Sequence, residues 1–307
     1  MIIIGAGMSG LLAGQFFRSH DPIIIEKQDS LPNNHKALLR FRSDAVSQLT
    51  GISFKKVQVD KMMNYREEHI TQSNLFLNNL YSQKVTGSIR SRSALKLERA
   101  ERYIAPEDFI QRVSSGLDIS YSEDARAVYL NQIVDSSEAI ISTMPVHKLA
   151  EVLNYELKAK LETRPIWTVK FDIEEIECDV YQTVYYPNPS IPLYRLSITG
   201  NTVIAEFCED PNVTWRDDVL MNISHFLEID FGIIYFTASN YRDGYQKYGK
   251  LIEENSDAVK EFLGWATRNY NIYSLGRWGT HRQILMDDVV HDLKVINRMI
   301  ESNGYKR

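Results

Sequence analysis

The chain opens Ile2-Ile3-Ile4-Gly5-Ala6-Gly7-Met8-Ser9-Gly10 and runs through Gly14 to Ile23-Ile24-Ile25-Glu26-Lys27. An apolar run, a Gly-x-Gly-x-x-Gly turn, a helical stretch, a second apolar run and an acid follow in the order of a βαβ unit that cradles a dinucleotide. Gly5 permits the tight turn. Gly7 lets backbone approach a pyrophosphate, and Gly10 lets the helix lie close on the strand. Free N–H groups at the start of the helix, around Met8 and Ser9, together with its dipole, favour the anion. Glu26, about twenty residues on, stands where a carboxylate accepts ribose hydroxyls, with Lys27 beside it.

The remaining composition sets bounds. A length of 307 residues suits one large or two modest domains. With 44% hydrophobic and 24% charged residues the chain reads as an ordinary globular protein. No run approaches the roughly 18 apolar residues of a transmembrane helix. Met1 directly precedes the first strand, so no signal or transit peptide is expected, and the cytoplasm is the expected compartment. Cys178 and Cys208 alone make neither a disulfide framework nor a zinc site, and no metal is expected. The net charge of −5 exerts no global pull on nucleic acid or anionic membrane. Local basic clusters occur at Lys36–Arg42, Lys55-Lys56 and Arg90–Arg102. The last reads first as a solvated helix face with interleaved glutamates, and second as a phosphate-binding surface.

Along the chain, residues 28–60 begin polar and irregular, and residues 60–100 read as helices or an excursion. Pro106, Glu107 and Asp108 mark a helix start. Strands are expected at 127–130 and at Ala139–Thr143, the second stopped by Met144-Pro145, with a helix over Val146–Leu161 leading out. From Pro165 to Phe207 the pattern turns to β: Trp167–Ile173, Val180–Tyr186, Leu193–Ile198 and Thr202–Phe207, separated by turn clusters. Helices are expected at 216–229, 252–270 and from Asp287 to about Ile300, with a Tyr-rich stretch over 231–248.

Three blocks resemble the flavin-binding fold of the glutathione-reductase type, most closely the branch of UDP-galactopyranose mutases and flavin amine oxidases. They are the Gly5–Glu26 fingerprint, the Ala139–Pro145 strand and turn, and Leu275-Gly276-Arg277-Trp278-Gly279-Thr280-His281-Arg282…Met286-Asp287-Asp288. The third is similar to the mutase signature Gly-Arg-Leu-Gly-Thr-Tyr-Arg-Tyr-x-x-Met-Asp. Tyr194-Arg195 after Pro192 also resembles the mutase segment that presents an arginine to substrate. The resemblance implies an α/β protein in two parts. One is a Rossmann-like FAD-binding domain with a parallel sheet (1–58, 100–150 and 268–307). The other is an α+β substrate domain on an antiparallel sheet (59–99 and 151–267).

The cofactor implied is noncovalent FAD. Thr143, Met144 and Pro145 would pass its adenine and ribityl side, and Gly276 and Arg277 its ring. N–H groups at the Asp287-Asp288-Val289 helix start would face the N1/O2 edge, as fixed dipoles aimed at developing charge. The Gly-Gly pair usual after the ribose acid is replaced by Leu31-Pro32-Asn33-Asn34, so Lys36, Arg40 or Arg42 would rebuild contacts there. His281 is the candidate acid/base, and Arg195 and Arg277 the candidate clamps for an anionic substrate. Trp167, Tyr185, Tyr186, Tyr241 and Tyr245 are candidates for an aromatic pocket, or else packing. His147 reads as structural.

His281 and Gln283 stand where mutases carry tyrosines that hold the sugar-nucleotide diphosphate, which argues against mutase activity. No second nucleotide fingerprint is present, so electrons would come from substrate or an external donor or acceptor. The first reading is therefore an FAD-dependent oxidoreductase taking hydride from a polar, amine-bearing or nucleotide-linked small molecule to flavin N5. The alternatives are a mutase-like non-redox flavoenzyme, an enzyme acting on a modified, phage-type DNA base, and a non-catalytic flavin-binding interaction protein.

Overall fold

The computed structural model describes residues 1–31, 40–66, 68–90, 93–125, 138–174, 180–211, 215–227, 231–252 and 256–304. Two sheets organise them. In the first, β1 (Ile2–Ile4) pairs on one side with β2 (Ile23–Ile25), which pairs onward with β7 (Asp118–Ser120). On its other side β1 pairs with β8 (Ile140–Ser142), which pairs with β14 (Ile272–Ser274). Every pairing is parallel. Strands this apolar belong inside a parallel sheet covered on both faces. Ile3, Ile24 and Ile141 pack with helix α1 (Met8–Phe16) and the C-terminal helix on one face. Ile4, Ile140 and Ile272 pack with Leu149 and Phe262 on the other.

The second sheet has nine strands. Its spine is β13 (Ala238–Leu251), β9 (Thr163–Ile173), β12 (Thr202–Phe207), β11 (Leu193–Thr199), β10 (Tyr181–Tyr185), β4 (Lys55–Tyr65), β6 (Ala100–Ile104) and β3 (Arg40–Phe41). Strand β5 (Glu68–Ile70) pairs with β4. The sheet is mixed rather than purely antiparallel: β10 runs parallel to β4, because the chain leaves β4 and re-enters beside it after a long crossover. Strand β4 runs through position 58, so the sheet joins the segments 40–58 and 100–104 to the rest of the second layer.

The helices between are α2 (Ala45–Thr50), α3 (Leu75–Thr86), α4 (Phe109–Ser114), α5 (Val146–Val152), α6 (Trp215–Leu227), α7 (Phe231–Thr237), α8 (Asp257–Tyr270), α9 (Gly276–Thr280) and α10 (Met286–Gly304). Val219, Leu220 and Ile223 of α6 fill one face of the second sheet with Val169, Phe171 and Leu196. Tyr81 and Val85 of α3 cover Met63, Tyr185 and Tyr194 on the other.

Three sequence expectations differ here. The helix expected over 146–161 stops at Val152, and Asn154 turns left-handed at φ +51°. Beyond it Tyr155, Leu157, Ala159 and Leu161 alternate with exposed Glu156, Lys158 and Lys160, an extended segment laid on the core. The 60–100 region holds a long strand and a hairpin ahead of α3. The Arg90–Arg102 helix face is instead a short helical turn at Ser93–Leu95 and the strand β6. The strand expected at 127–130 lies outside the described residues, as does Cys178. Cys208 is half-buried, its thiol against the Pro192 carbonyl oxygen at 3.2 Å. No helix among the described residues is long and apolar enough to cross a membrane.

Candidate active site

The strand-to-helix turn at Gly5–Gly10 is held from three sides. Gly5 sits at φ +91° beside Thr143, a conformation that favours glycine. A Cβ on Gly10 would overlap the Gly5 carbonyl oxygen, so helix and strand touch backbone to backbone there. A Cβ on Gly7 would meet nothing within 4 Å. This is the open approach a pyrophosphate needs. Thr143, at the end of β8, locks the turn through N–H and Oγ1 bonds to the Ile4 carbonyl at 2.9 and 2.8 Å.

Glu26 ties down the other side. Its Oε2 accepts the Ala6 N–H at 2.6 Å and its Oε1 the Gln28 N–H at 2.9 Å. Each oxygen keeps a further lone pair, so the carboxylate can still accept a hydroxyl. A cavity of about 480 Å³ opens here, with Gly5, Glu26, Lys27, Thr143, Met144 and Pro145 in its walls. Glu123, Asp124 and Lys148 complete it, and Lys27 pairs with Asp124 at 3.6 Å. These three were not singled out from the sequence, since none belongs to a motif.

A cleft of about 470 Å³ lies on the far side of the turn. Gly7, Met8 and Ser9 form one wall, Leu275, Gly276 and Arg277 another, and Arg195, Glu206 and Lys250 of the second sheet face them. Gly276, at φ +83°, packs its backbone against the Ser9 hydroxyl. The N-terminal fingerprint and the 275–288 block thus meet in one place.

The arginine opposite is held by a buried carboxylate. Glu206 is 4% exposed, accepts the Tyr194 hydroxyl at 2.9 Å and pairs with Arg195. Burial works against both charges. Arg195 nonetheless holds Glu206 below the usual carboxylate range, helped by Lys250, and Glu206 holds Arg195 well above its ordinary value. Glu206 was not singled out from the sequence. Its signal was there: one carboxylate in the otherwise apolar core of Thr202-Val203-Ile204-Ala205-Glu206-Phe207.

Other candidates have structural duties. Arg40 lines the cleft but directs its guanidinium into the ends of β10 and β11, donating to Thr183 Oγ1 at 2.9 Å, Thr199 Oγ1 at 2.6 Å and the Gln182 and Ile198 carbonyls. Burial, then Arg195, pushes it down to about 9, which leaves it charged at neutral pH. Asp287 accepts the N–H groups of Arg42 (3.1 Å) and Ser43 (2.8 Å). Asp288 accepts the Leu285 N–H at 2.7 Å, and Val289 is buried in the core. Arg277 lines the cleft and donates to the Ile284 carbonyl at 3.1 Å.

His281 does not line the cleft. It is 3% exposed and takes the left-handed position that ends α9, at φ +48°. Gln283 donates to the Leu251 carbonyl at 3.4 Å. Among the aromatic candidates, Trp167 and Tyr245 meet ring to ring at 5.3 Å, Tyr186 is core, and Tyr185 lies in a separate recess. The Tyr241 side chain and residues 32–39, with Lys36, lie outside the described positions.

No protein-family model and no curated protein matches the sequence. The fold is shared with solved enzymes. A reduced UDP-galactopyranose mutase superposes with a TM-score of 0.62 at 13% identity, over 98% of this chain and 93% of that one. An oxidoreductase from Methanosarcina mazei gives 0.56 at 8% identity, over 97% and 99%. A CLA-producing fatty acid isomerase from P. acnes gives 0.55 at 11% identity, over 97% of each. At these identities the likeness establishes the two-layer fold along nearly the whole chain, and the site must be argued from its own residues.

Proposed function

We propose that the chain is an FAD-dependent enzyme that oxidises a polar, amine-bearing or nucleotide-linked small molecule, FAD being held without a covalent bond. One observation carries the reading: residues 7–9, 275–278 and 285–287 share a cleft with Arg195 and Glu206, while Gly5, Glu26 and Thr143 border a second cavity on the other side of the same turn. Glu26 would take the ribose, and Gly7 to Ser9 the pyrophosphate, at the open helix start. Gly276 and Arg277 would border the ring. Bound there, FAD would supply the two-electron acceptor for the substrate's hydride. The chain's own part is to orient. Arg195, fixed by Glu206, would grip an anionic group of the substrate from the opposite sheet.

The test is the absorption spectrum of the purified protein, followed by anaerobic screening of amine and nucleotide-linked compounds for bleaching. FAD released on denaturation supports the reading. Colourless protein that gains no FAD on incubation overturns it. Arg195→Ala should keep FAD and weaken substrate binding about ten- to a hundredfold.

The second reading, a non-redox mutase, is favoured by the superposition on UDP-galactopyranose mutase. Against it, Gln283 holds a backbone carbonyl and His281 is buried outside the cleft. Dithionite-reduced protein should not turn over UDP-galactopyranose; turnover at ordinary enzymatic rates would reverse the order of the two readings.

A further inference from the structure

A second recess, of about 320 Å³, adjoins the cleft and shares Arg40, Arg195, Glu206 and Leu285 with it. It contains none of the Gly5–Ser9 turn. Its remaining walls come from the strands: Lys61 of β4, Arg102 of β6, Thr183 and Tyr185 of β10, Ser197 of β11, and Arg42 just past β3. Five cationic side chains face a single carboxylate, and that carboxylate, Glu206, is already engaged by Arg195 and Tyr194.

Basic residues elsewhere on or just before these strands behave differently. Lys56 pairs with Glu101 at 2.8 Å and Arg99 with Asp60 at 2.7 Å, both in the open. In the recess, Arg42, Lys61 and Arg102 make no ion pair among the described residues. Lys61 donates to the Lys96 carbonyl at 2.9 Å and Arg102 to the Glu101 carbonyl at 2.6 Å, which fixes their direction without an ion pair; the Glu98 carboxylate favours the Lys61 charge from outside the recess lining. The cations also oppose one another. Burial, then Arg102, lowers Lys61, and burial, then Arg42, lowers Arg102. Asp287, in the adjoining cleft, favours the Arg102 charge but accepts the N–H groups of Arg42 and Ser43. Like charges brought together in a half-buried pocket are costly unless an anion joins them.

We infer that this recess is a binding site for a phosphoryl group of a small molecule, held by Arg42, Lys61 and Arg102 with the Thr183 and Ser197 hydroxyls at its floor. A multiply charged tetrahedral anion matches several converging donors better than one carboxylate does. Because the recess opens into the cleft, its occupant would extend toward Arg195. That this occupant is the substrate's own phosphate rests on the flavin reading; that the recess binds phosphate does not.

The experiment is calorimetric titration of the purified full chain, at saturating FAD, with inorganic pyrophosphate and with phosphate. Flavin content is read separately from the spectrum. Saturable pyrophosphate binding is expected, weakened about tenfold or more by Lys61→Gln and by Arg102→Gln, with FAD content and melting temperature kept. Lys56→Gln, which removes a paired charge on the open face, should leave it unchanged. Absence of saturable binding up to about 10 mM, or equal affinity in K61Q, R102Q and K56Q, would overturn the site. Tighter binding of a short single-stranded oligonucleotide than of pyrophosphate, lost in K61Q, would overturn the small-molecule assignment. Loss of FAD binding with pyrophosphate binding intact would sink the flavin reading and leave this site standing.

Discussion

Gly276 and Ser9 are in direct contact across the cleft: the Gly276 backbone stands at φ +83°, and a Cβ there would crowd the Ser9 hydroxyl. The contact joins the N-terminus of α1 to the block before α10. Gly276→Ala must strain a left-handed backbone and separate these two walls. It should cost about 1–3 kcal/mol of stability and lower FAD affinity together. Denaturant unfolding and flavin titration measure both. A variant with native stability and native FAD affinity would show that the contact is incidental.

Gly7 and Gly10 lie in the same turn and should fail in opposite ways. Gly7 has φ −66° and ψ 173°, ordinary extended backbone, and open space where a Cβ would go. Gly7→Val should therefore fold within about 0.5 kcal/mol of the parent and bind no FAD. A Cβ at Gly10 would sit on the Gly5 carbonyl, so Gly10→Ala should damage the fold itself. If both variants melt together with the parent and both bind FAD, the turn is not a cofactor cradle.

The parallel sheet was legible in the sequence because each of its central strands is a short run of isoleucines between punctuating glycines, acids and prolines. Ile2–Ile4, Ile23–Ile25 and Ile140–Ser142 were each found that way. Period-two signals among polar residues were weaker. Tyr155, Leu157, Ala159 and Leu161 alternate cleanly, yet they follow a real helix start, which masks the change of period. Arg102 in β6 fell in a basic stretch whose second sequence reading is a phosphate-binding surface, ranked behind a solvated helix face for a related reason. Ala100-Glu101-Arg102-Tyr103-Ile104 reads as a charged surface, and only pairing with β4 turns one side of it into the wall of a recess. Around the cleft, Gly7 to Ser9 were legible from glycine spacing, and Arg195, Gly276 and Arg277 only from the family resemblance. Glu206, Lys250 and Lys61 were not, because their roles come from strands that the chain brings together over long separations.

Lys84 is buried with its ammonium donating to three carbonyls, those of Tyr186 at 2.8 Å, Asn188 at 2.7 Å and Leu193 at 2.6 Å. It fastens α3 to the β10–β11 connection behind Tyr194. Lys84→Met preserves the stem and strands these acceptors, so it should cost about 2–5 kcal/mol. Urea unfolding measures this. A loss under about 0.5 kcal/mol would mean that other donors replace the ammonium.

Glu206 should impose a pH signature on stability. Its carboxyl is held below the usual carboxylate range in the fold, by Arg195 against the effect of burial. In the unfolded chain it titrates near about 4.3. The folded state therefore gives up this proton more readily than the unfolded state. The stabilisation is fully present above the unfolded value and is lost as pH falls through the folded one. Glu206→Gln keeps the shape but leaves Arg195 without its counter-charge. Breaking such a pair costs roughly 3–5 kcal/mol when both partners are buried, and less here because Arg195 is 34% exposed. The stability difference between parent and E206Q should be largest at neutral pH and shrink on acidification below about pH 4. Urea unfolding of both proteins across that range reads it directly. A difference that stays constant with pH would mean that Glu206 acts through packing rather than charge, and would remove it as the group that positions Arg195.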